Sequence, residues 1–544
     1  MANEKRYAQA NNESLHRIFT IPEAPDSTLS QIESEISKNL NGFLSHHIVA
    51  TDKPLSEIEQ DFASSELPER PEYVSDHTRQ LLEKLIAQSV HTSAPSFIGH
   101  MTSALPYFLL PLSKLMVGLN QNLVKIETSK AFTPMERQVL GMMHRLVYAN
   151  NDDFYQDWMH SADSSLGAFC SGGTVANITA LWVARNSLLV AKPGFKGVSE
   201  EGLFKGLKAY GYDDLAILVS ERGHYSLKKA ANLLGLGHDS IIAIPTDAEH
   251  RMDCKLLREK CAELEAKNIK VMAIVGIAGT TETGTLDPLN DMADIAAEYN
   301  AHFHVDAAWG GATLFSNKYR YLLSGIERAD SVTIDAHKQM YVPMGAGLVL
   351  FKNPEAVAAI EHHAEYILRK GSKDLGSHTL EGSRPGMAML LYASLHIISR
   401  PGFELLINQS IEKAKYFASL ITAHEDFQLV SEPKLCLLTY RYVPKHVQEL
   451  LQSCTLQQRR NINELLDQLT ITMQKLQREA GKSFVSRTRI PEQGQGTDAI
   501  SVFRVVLANP LTTEDILQQV LVEQEAIATE QTPLLAQLQS IIDA

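Results

Sequence analysis

The stretch "SVTIDAHKQMYVPMGAGLVLF" (residues 331–351) contains two short apolar runs, "SVTID" and "GLVLF", on either side of a lysine. Neither run alternates apolar with polar residues, which is typical of strands buried on both faces of a sheet. Lys338 follows His337 after the first run. Because burying an ammonium group is costly unless it is paired or neutralised, Lys338 is either a surface lysine at a strand end or an amine kept there to react.

Comparable runs precede this stretch and alternate with helical segments. We predict strands in "LAILVSERGH", "SIIAIPTD", "VMAIVGIAGTT" and "AHFHVDAAWGG", with helices in "CKLLREKCAELEAKN" and "LNDMADIAAEYN" between them. Strands that alternate with helices form βαβ units and a mainly parallel sheet, and ligands bind beyond the carboxyl ends of such strands. The polar residues at those ends are His224, Thr280, Thr281, Asp306, His337 and Lys338.

The length of 544 residues suggests about three structural units. We predict a helical N-terminal segment over 1–95, a large α/β domain over 96–395 and a small α+β C-terminal domain over 396–544. The first segment has apolar residues at helical spacing in "STLSQIESEISKNLNGFLS" and "SDHTRQLLEKLIAQSVH". The last unit mixes helices such as "FELLINQSIEKAKYFASLITA" with the strand-like "FQLVSEPKLCLLTYRYV" and "ISVFRVVLANP".

Composition excludes several classes of protein. A formal charge of −14 argues against nucleic acid as a partner, since phosphate backbones are bound by clustered Lys and Arg. Five scattered cysteines in no CxxC arrangement favour a reducing cytoplasm over a disulfide framework. The polar N-terminus lacks the apolar centre of a signal peptide. The most apolar window, "ALPYFLLPLSKLMVGL", is interrupted by two prolines and a lysine, so we predict no membrane span.

"CSGGTVANITALWVARNSLL" (residues 170–189) reads as a Gly-Gly turn that leads into a helix. Backbone N–H groups at a helix N-terminus bind anions, and glycine permits close approach. Thr174 adds a hydroxyl group. The stretch matches neither GxGxxG nor GxxxxGK[ST], which argues against dinucleotide and P-loop sites. A plain turn with a helix cap is the alternative to a phosphate site.

Asp306 and His224 each have a structural and a functional interpretation. Asp306 ends an apolar strand and could simply cap the next helix, or it could lie below a protonated heterocyclic nitrogen. His224 could be a hydrogen-bonded structural histidine, or it could stack on a planar ring. Together with the phosphate cradle and Lys338, they meet the requirements of pyridoxal 5'-phosphate (PLP), which needs a Schiff-base lysine and an acidic partner for its pyridine nitrogen.

From "APSFIGHM" at residue 94 to "VFRVVLANP" near residue 510, the chain resembles the group II PLP-dependent amino-acid decarboxylases. The strongest segments are "SERGHYSLKK", "IAGTTETGTLDPL", "HVDAAWGG" and "SVTIDAHK". The resemblance implies fold type I, like aspartate aminotransferase, with a mainly parallel seven-stranded sheet. It also implies an obligate homodimer with shared active sites, in which segment 1–95 takes part in dimerisation.

The resemblance implies a role for individual residues. Lys338 would hold PLP, Asp306 would pair with the pyridine nitrogen and His224 would stack on the ring. Thr281 would lie near the ring hydroxyl. The implied phosphate contacts are Gly173, Thr174, His337 and, from the neighbouring subunit, Ser383. The family commonly has Asn where this chain has Asp335, and an extra carboxylate near a phosphate is unfavourable unless it points away or is paired.

Three further residues concern the substrate and the loop that covers it. Arg504 resembles the family arginine that binds a substrate carboxylate, a task that suits a bidentate guanidinium; its alternative is a sheet-edge arginine paired with Asp or Glu. Tyr366, in "HHAEYILRKGSKDLGS", lies where the family has a mobile loop with a catalytic tyrosine that protonates Cα. His100 is the candidate for the side-chain carboxylate. The pair His362–His363 fits a solvated helix face better than a metal site.

The implied reaction is α-decarboxylation of an acidic amino acid. The resemblance to the acidic branch of the family favours aspartate to β-alanine, with glutamate to γ-aminobutyrate and cysteine sulfinate as alternatives. One methylene separates aspartate from glutamate and is worth only about 1–3 kcal/mol in such discrimination. An aminotransferase or lyase on the same fold would share Lys338 and Asp306. A non-catalytic binding paralogue is the alternative from another class, against which the retained Lys338 argues.

Overall fold

The computed structural model describes residues 30, 32–34, 36–38, 53–86, 88–363, 371–492 and 499–542. Most of the helix predicted in "STLSQIESEISKNLNGFLS" lies outside these residues, as does Tyr366. The second predicted N-terminal helix is present as Val74–Ile86.

The large sheet contains seven strands: β1 (Gly167–Cys170), β2 (Asp214–Ser220), β3 (Ile241–Ile244), β4 (Ile269–Ile277), β5 (His302–Asp306), β6 (Ser331–Asp335) and β7 (Gly347–Phe351). Their order across the sheet is β1-β7-β6-β5-β4-β2-β3. The pairs from β3 to β6 are parallel, whereas β7 is antiparallel to both of its neighbours. The mainly parallel seven-stranded sheet is therefore confirmed.

The direction of β7 matters for the site. Gly347, its first residue, pairs with Cys170 at the end of β1 and with Asp335 at the end of β6. The start of β7 consequently lies at the same edge of the sheet as the carboxyl ends of the parallel strands. All residues of β6 and β7 are buried, which explains why their sequences show no polar alternation.

The α-helices are α1 (Leu55–Ile58), α2 (Val74–Ile86), α3 (Leu109–Leu119), α4 (Ile126–Ser129), α5 (Phe132–Tyr148), α6 (Asp152–Trp158), α7 (Gly173–Leu188), α8 (Val198–Glu201), α9 (Leu203–Tyr210), α10 (Ser226–Leu233), α11 (Cys254–Ala266), α12 (Leu289–Glu298), α13 (Ala388–Ile397), α14 (Ser399–Ala423), α15 (Lys445–Leu451), α16 (Leu456–Ala480), α17 (Glu514–Thr529) and α18 (Thr532–Ile542). Short 3-10 helices cover Glu59–Phe62, His238–Ser240, Gly310–Phe315, Arg320–Leu323, Ile326–Arg328, Pro354–Ile360 and Leu375–His378.

Helix α7 positions much of the site. It packs against five strands, β1, β4, β5, β6 and β7. Ala176 and Ala180 are completely buried at this contact, and their small side chains bring the helix close to the sheet. The first turn of α7 therefore lies directly over the strand ends.

A second, four-stranded antiparallel sheet lies in the C-terminal part. Its strands are β8 (Phe427–Ser431), β9 (Leu437–Tyr442), β10 (Ser486–Pro491) and β11 (Ala499–Val506), in the order β10-β11-β9-β8. The helices α14 and α16 pack on it, and α17 packs against these two helices. Helix α16 begins with a capping box at Thr455. This arrangement fits the expected small α+β unit. Residues before α3 join it, because Ile98 N–H donates to the Phe484 carbonyl at 3.0 Å.

The domain boundaries at 95 and 395 remain predictions. Two strands, β1 and β10, were not foreseen, and both are short or rich in polar residues. Within the described part of the chain, no helix is long and apolar enough to cross a membrane.

Candidate active site

A cavity of about 360 Å³ opens at the carboxyl ends of the large sheet. Its size suits a small ligand or cofactor. Of the predicted residues, Gly173, Thr174, His224, Thr281, Asp306, His337 and Lys338 line it. Most of the predicted site is therefore brought together in one place.

The sequence left open whether Lys338 is a surface lysine or a buried amine. In the structure it lines the cavity and is partly exposed, with 21% of its side chain accessible. Its Nζ lies 3.1 Å from Asp335 Oδ2, and His337 Nε2 lies 3.6 Å from the same oxygen. Asp335 is thus paired, which answers the objection to a carboxylate near a phosphate site. Its Oδ1 is buried and has no hydrogen-bond partner among the described residues.

The cradle for an anion is built from α7 and β7. A Cβ at Gly173 would lie 2.9 Å from Asp335 Oδ2, and one at Gly347 would lie 2.6 Å from Gly172 Cα. Glycine is therefore required at both positions by close approach. The free N–H groups at the start of α7, with Thr174 beside them, form a site that favours negative charge.

His337 stands beside this cradle. Its Nδ1 faces the carbonyl of Ala346 at 2.9 Å, so Nδ1 carries a proton and donates it. Only 9% of the side chain is exposed. The ring is fixed between strands β6 and β7, in the place expected of a phosphate contact.

Asp306 is held by two N–H donors. Asn177 Nδ2 donates to Oδ2 at 2.8 Å, and the backbone N–H of Ala308 donates to Oδ1 at 3.1 Å. Asp306 is 6% exposed and lines the cavity. The helix-cap interpretation is not what the structure shows, since the carboxylate faces α7 and the cavity.

His224 is half-buried at the end of β2. Its Nδ1 lies 2.9 Å from Ser226 Oγ and accepts from the Ser226 N–H at 3.3 Å. Burial lowers the pKa of His224, with the charge of Asp306 opposing this and that of Lys338 adding to it. The imidazole is therefore neutral near pH 7.

Arg504, on β11, is not among the residues that line the cavity, but it is bonded to Thr281, which is. Its Nε donates to the Thr281 carbonyl at 2.6 Å, while its Nη2 is buried without a partner in the described part of the chain. Burial lowers the pKa of Arg504 to about 10, and Glu282 opposes the shift. Arg504 belongs to the C-terminal sheet, and no carboxylate of the described residues forms an ion pair with it, although the charge of Glu282 acts on it. The ion pair that the sheet-edge alternative requires is therefore not seen in this part of the chain.

Besides Arg504, three predicted residues are not in the cavity lining: His100, Ser383 and Tyr366, the last of which lies outside the described residues. His100 is exposed by its accessible area, but the protein atoms around its ring still partly desolvate it and lower its pKa, and the charges of Arg504 and Lys338 add to this shift. Ser383 is exposed and accepts a hydrogen bond from Asn122 at 2.9 Å, away from the cavity of its own chain. His363 lies 3.2 Å from Glu361, and no metal-binding group of three side chains is found among the described residues.

Among the cavity residues that the sequence analysis missed, Asn177 and Arg222 carry the polar groups of most interest. Asn177 lies one turn inside α7, where a buried amide leaves no pattern in the sequence. Arg222 lines the cavity, and its Nε and Nη2 are buried with no hydrogen-bond partner in the described ranges. A signal existed for Arg222, because an arginine two residues before His224 at a strand end cannot easily turn away from the ligand.

The residues present fit PLP. The glycine cradle, the anion-favouring helix start, the fixed carboxylate of Asp306 and the reachable amine of Lys338 correspond to phosphate, ring nitrogen and aldehyde. Fold and site together define a fold type I PLP-dependent enzyme.

The sequence model described as "Pyridoxal-dependent decarboxylase conserved domain" matches residues 55–443. The chain therefore belongs to the pyridoxal-dependent decarboxylases: it is an amino-acid decarboxylase, and PLP is its cofactor. The resemblance found in the sequence is confirmed.

The names of similar proteins indicate decarboxylases of both acidic and basic amino acids. The chain is 65% identical over 541 residues to the "Aspartate 1-decarboxylase" of Aliivibrio fischeri, with 99% of each protein covered. It is 26% identical over 378 residues to the L-2,4-diaminobutyrate decarboxylase of Acinetobacter baumannii, covering 68% of this chain and 72% of that one. The solved structure of mouse CSAD in apo form is 26% identical, with a TM-score of 0.76 over 91% of this chain and 98% of that chain.

Proposed function

We propose that the protein converts L-aspartate to β-alanine and carbon dioxide. The observation that carries this proposal is the 65% identity, along nearly the whole of both chains, to a protein named aspartate 1-decarboxylase. An orphaned guanidinium nitrogen on Arg504 next to the cavity supports an acidic substrate. Neither glutamate nor cysteine sulfinate has a comparable observation in its favour.

When bound, PLP supplies an electrophilic carbon for the substrate amine and a protonated ring that accepts the electron pair left at Cα. Lys338 is the residue that would hold the cofactor covalently and release it to the substrate. Asp335, at 3.1 Å, would keep the freed amine close to the site. Asp306 would pair with the ring nitrogen, and His224 would cover the face of the ring.

The phosphate would lie at the start of α7. Gly173 and Thr174 would offer backbone and hydroxyl donors, with His337 beside them. Thr281, whose carbonyl holds Arg504, would lie near the ring hydroxyl. Ser383 would reach the phosphate of the neighbouring subunit, and its exposed position is compatible with that role.

Substrate orientation would depend on Arg504. A guanidinium that binds one carboxylate fixes the substrate about Cα, so that the other carboxylate stands perpendicular to the ring and leaves. His100, neutral because of its lowered pKa, could add one N–H donor to the side-chain carboxylate. Arg222 lines the cavity and has two buried nitrogens with no partner among the described residues, so it is a further candidate for a substrate carboxylate. Tyr366, outside the described residues, would return the proton to Cα.

We further propose a homodimer in the cytoplasm. Helix α3 and the residues before it carry exposed apolar side chains, among them Tyr107, Leu110, Leu115 and Val117, and large exposed apolar patches mark association surfaces. All five cysteines are free, which fits a reducing compartment.

The test is a parallel assay of the purified, PLP-loaded protein. Carbon dioxide release is measured with aspartate, glutamate, cysteine sulfinate and an aromatic amino acid, without an α-keto acid. We expect the highest kcat/KM for aspartate. A preference for glutamate or an aromatic substrate would overturn the substrate assignment, and absence of the visible PLP–lysine chromophore would overturn the whole proposal.

A further inference from the structure

The two groups proposed to flank the PLP ring are joined by one buried side chain. Asn177 Nδ2 donates to Asp306 Oδ2 at 2.8 Å and to Ser226 Oγ at 3.0 Å. Ser226 Oγ in turn lies 2.9 Å from His224 Nδ1. Asn177 is 1% exposed and Ser226 is completely buried, so no bulk water competes for these bonds.

The amide orientation of Asn177 is fixed from behind. Its Oδ1 lies 3.0 Å from His304 Nε2, whose ring is completely buried two residues before Asp306. Burial lowers the pKa of His304 to about 4, so the ring carries a single proton. That proton must be on Nε2, because Oδ1 is only an acceptor.

The series of hydrogen bonds continues from His304 to Ser331 and His302, and each donor in it meets an acceptor. His304 Nδ1, being unprotonated, accepts from the Ser331 hydroxyl at 2.8 Å. Ser331 Oγ accepts in turn from His302 Nε2 at 2.7 Å. All hydrogen bonds from His302 to Asp306 are therefore donated in the same direction along the series. If the amide of Asn177 were flipped, its Oδ1 would face the Asp306 carboxylate, and both are acceptors.

The same amide decides which nitrogen of His224 carries its proton. Ser226 Oγ accepts from Asn177, so its own hydrogen is available for His224 Nδ1. The backbone N–H of Ser226 points to the same nitrogen at 3.3 Å. With two donors on Nδ1, the neutral ring is left with its proton on Nε2.

We propose that Asn177 is the positioning residue of this active site, which holds the Asp306 carboxylate and, through Ser226, keeps His224 in the Nε2–H tautomer. The proposal rests on the function proposed above, since it assumes that Asp306 and His224 face the cofactor ring. As a consequence, Asn177 fixes both the position of Asp306, the acceptor for the ring nitrogen, and the tautomer of His224, the donor above the ring. A substitution at Asn177 should disturb both, although its side chain need not touch the substrate.

The first experiment compares Asn177→Leu with Asn186→Leu. Asn186 is a matched control on α7, because it is 3% exposed and its Nδ2 also makes two hydrogen bonds, to Ser199 and the Ala359 carbonyl. The protein is reconstituted with PLP labelled with ¹⁵N at the ring nitrogen. In Asn177→Leu we expect the ¹⁵N resonance to leave the protonated-pyridinium range and PLP to dissociate about tenfold to a hundredfold more readily. Asn186→Leu should keep the native values of both.

A second pair of variants keeps the test valid if Asn177→Leu does not fold. His304→Gln preserves an N–H donor toward Asn177, whereas His304→Leu removes it. We expect the ¹⁵N resonance to be native-like in the Gln variant and displaced in the Leu variant. Equal behaviour of the two, or a native resonance in a folded Asn177→Leu protein, would overturn the proposal.

The tautomer is tested separately with Ser226→Ala. Ring-¹⁵N histidine spectra, with His224→Asn used for assignment, should show Nε2–H in the wild type and a mixture of tautomers in Ser226→Ala. The PLP resonance should stay native, because Asn177 still meets Asp306. An unchanged His224 tautomer would overturn this arm. If the wild-type protein binds no PLP, the proposed function fails instead, whatever the variants do.

Discussion

The two sides of the cavity differ in how their polar atoms are satisfied. The floor, defined as Asp306, Asn177, Ser226, His224 and His304, is held by hydrogen bonds among its own members, by the Ala308 N–H and by the Ser331 hydroxyl behind His304. The charged wall is defined as the cavity residue Arg222 together with Glu282 and Arg504, which are the chain neighbour and the hydrogen-bond partner of the cavity residue Thr281. Each of the three has a buried atom without a described partner. The floor is thus organised before any ligand arrives, whereas the two arginines of the wall keep N–H groups to which an anion can bind. Unpaired buried groups reduce stability, and such costs are common where ligands bind.

The largest effect is expected for Lys338→Ala, which lies between the two sides. Turnover and the visible chromophore should be abolished, because no other lysine of the described residues lines the cavity. The cofactor-free variant should also lose about 2 kcal/mol in its free energy of unfolding, since Asp335 is 4% exposed and would lose its cation. Denaturant unfolding and carbon dioxide release measure the two effects.

Controls separate these effects. The double variant Lys338→Ala/Asp335→Asn should recover stability and remain inactive. Lys352→Ala, which changes an exposed lysine just after β7, should alter neither property. Residual turnover in Lys338→Ala would exclude a covalent role for this lysine.

The next largest effect is expected for Arg504→Lys, which changes the wall. A lysine keeps a charge but loses the planar fork, so kcat/KM for aspartate should fall about tenfold to a hundredfold, while PLP affinity changes little. Since the pKa of Arg504 is lowered to about 10, the wild-type KM should rise as pH increases through about 10, where the cation is lost. Steady-state kinetics against pH check both statements.

Arg441→Lys is the matched control. Arg441 is a buried arginine on the neighbouring strand β9, and it donates to Gln428 and Asn463 at 2.8 Å. This substitution should lower stability and leave KM unchanged. If both variants raise KM equally, Arg504 has no specific contact with the substrate.

Lowering the pH should reduce the stability of the protein through the floor, at His304, rather than through the wall. The pKa of His304 is about 4 in the folded chain and near 6.5 when unfolded, so the unfolded state takes up the proton first. The stability contributed by the neutral ring is complete above pH 6.5 and is lost as pH falls from 6.5 through 4, by roughly 3 kcal/mol in the limit. Unfolding midpoints measured across this range should fall less steeply in His304→Gln.

His144 offers a comparison outside the site. Its pKa is also about 4, and it is buried between Tyr155 and the Phe351 carbonyl, away from the cavity. His144→Gln should flatten the acid limb in the same way without changing PLP binding. Equal slopes in the wild type and both variants would show that neither ring controls acid stability.

The smallest effect is expected for Arg222→Gln. Two of its nitrogens are buried without described partners, so their removal should leave the cofactor-free melting temperature unchanged or slightly raised. The value of kcat/KM for aspartate should fall, because the cation faces the cavity. By contrast, Arg384→Gln breaks a buried pair with Glu136 and should destabilise the protein strongly. A clear loss of stability in Arg222→Gln would contradict the unsatisfied state of the wall.

Sequence reasoning located the sheet and most of the floor because these depend on local patterns. Continuous apolar runs ending in His224, Asp306 and Lys338 gave both the strands and their functional ends. Strand β1 was missed because "GAFC" is four residues long and lacks β-branched residues. Asn177 was missed because its value depends on Asp306 and His304, which are far away in sequence. The pairing of Asp335 with Lys338 depends on the turn after β6, which no pattern specifies.

The antiparallel strand β7 has a consequence for biosynthesis. The two glycines that face each other in the cradle, Gly172 and Gly347, are separated in sequence by all of the strands from β2 to β6. During translation the first of them leaves the ribosome long before the second, at about 5–20 residues per second. The nascent chain therefore has no phosphate site until nearly the whole sheet has been synthesised, so cofactor capture is a late event that follows closure of this long-range contact.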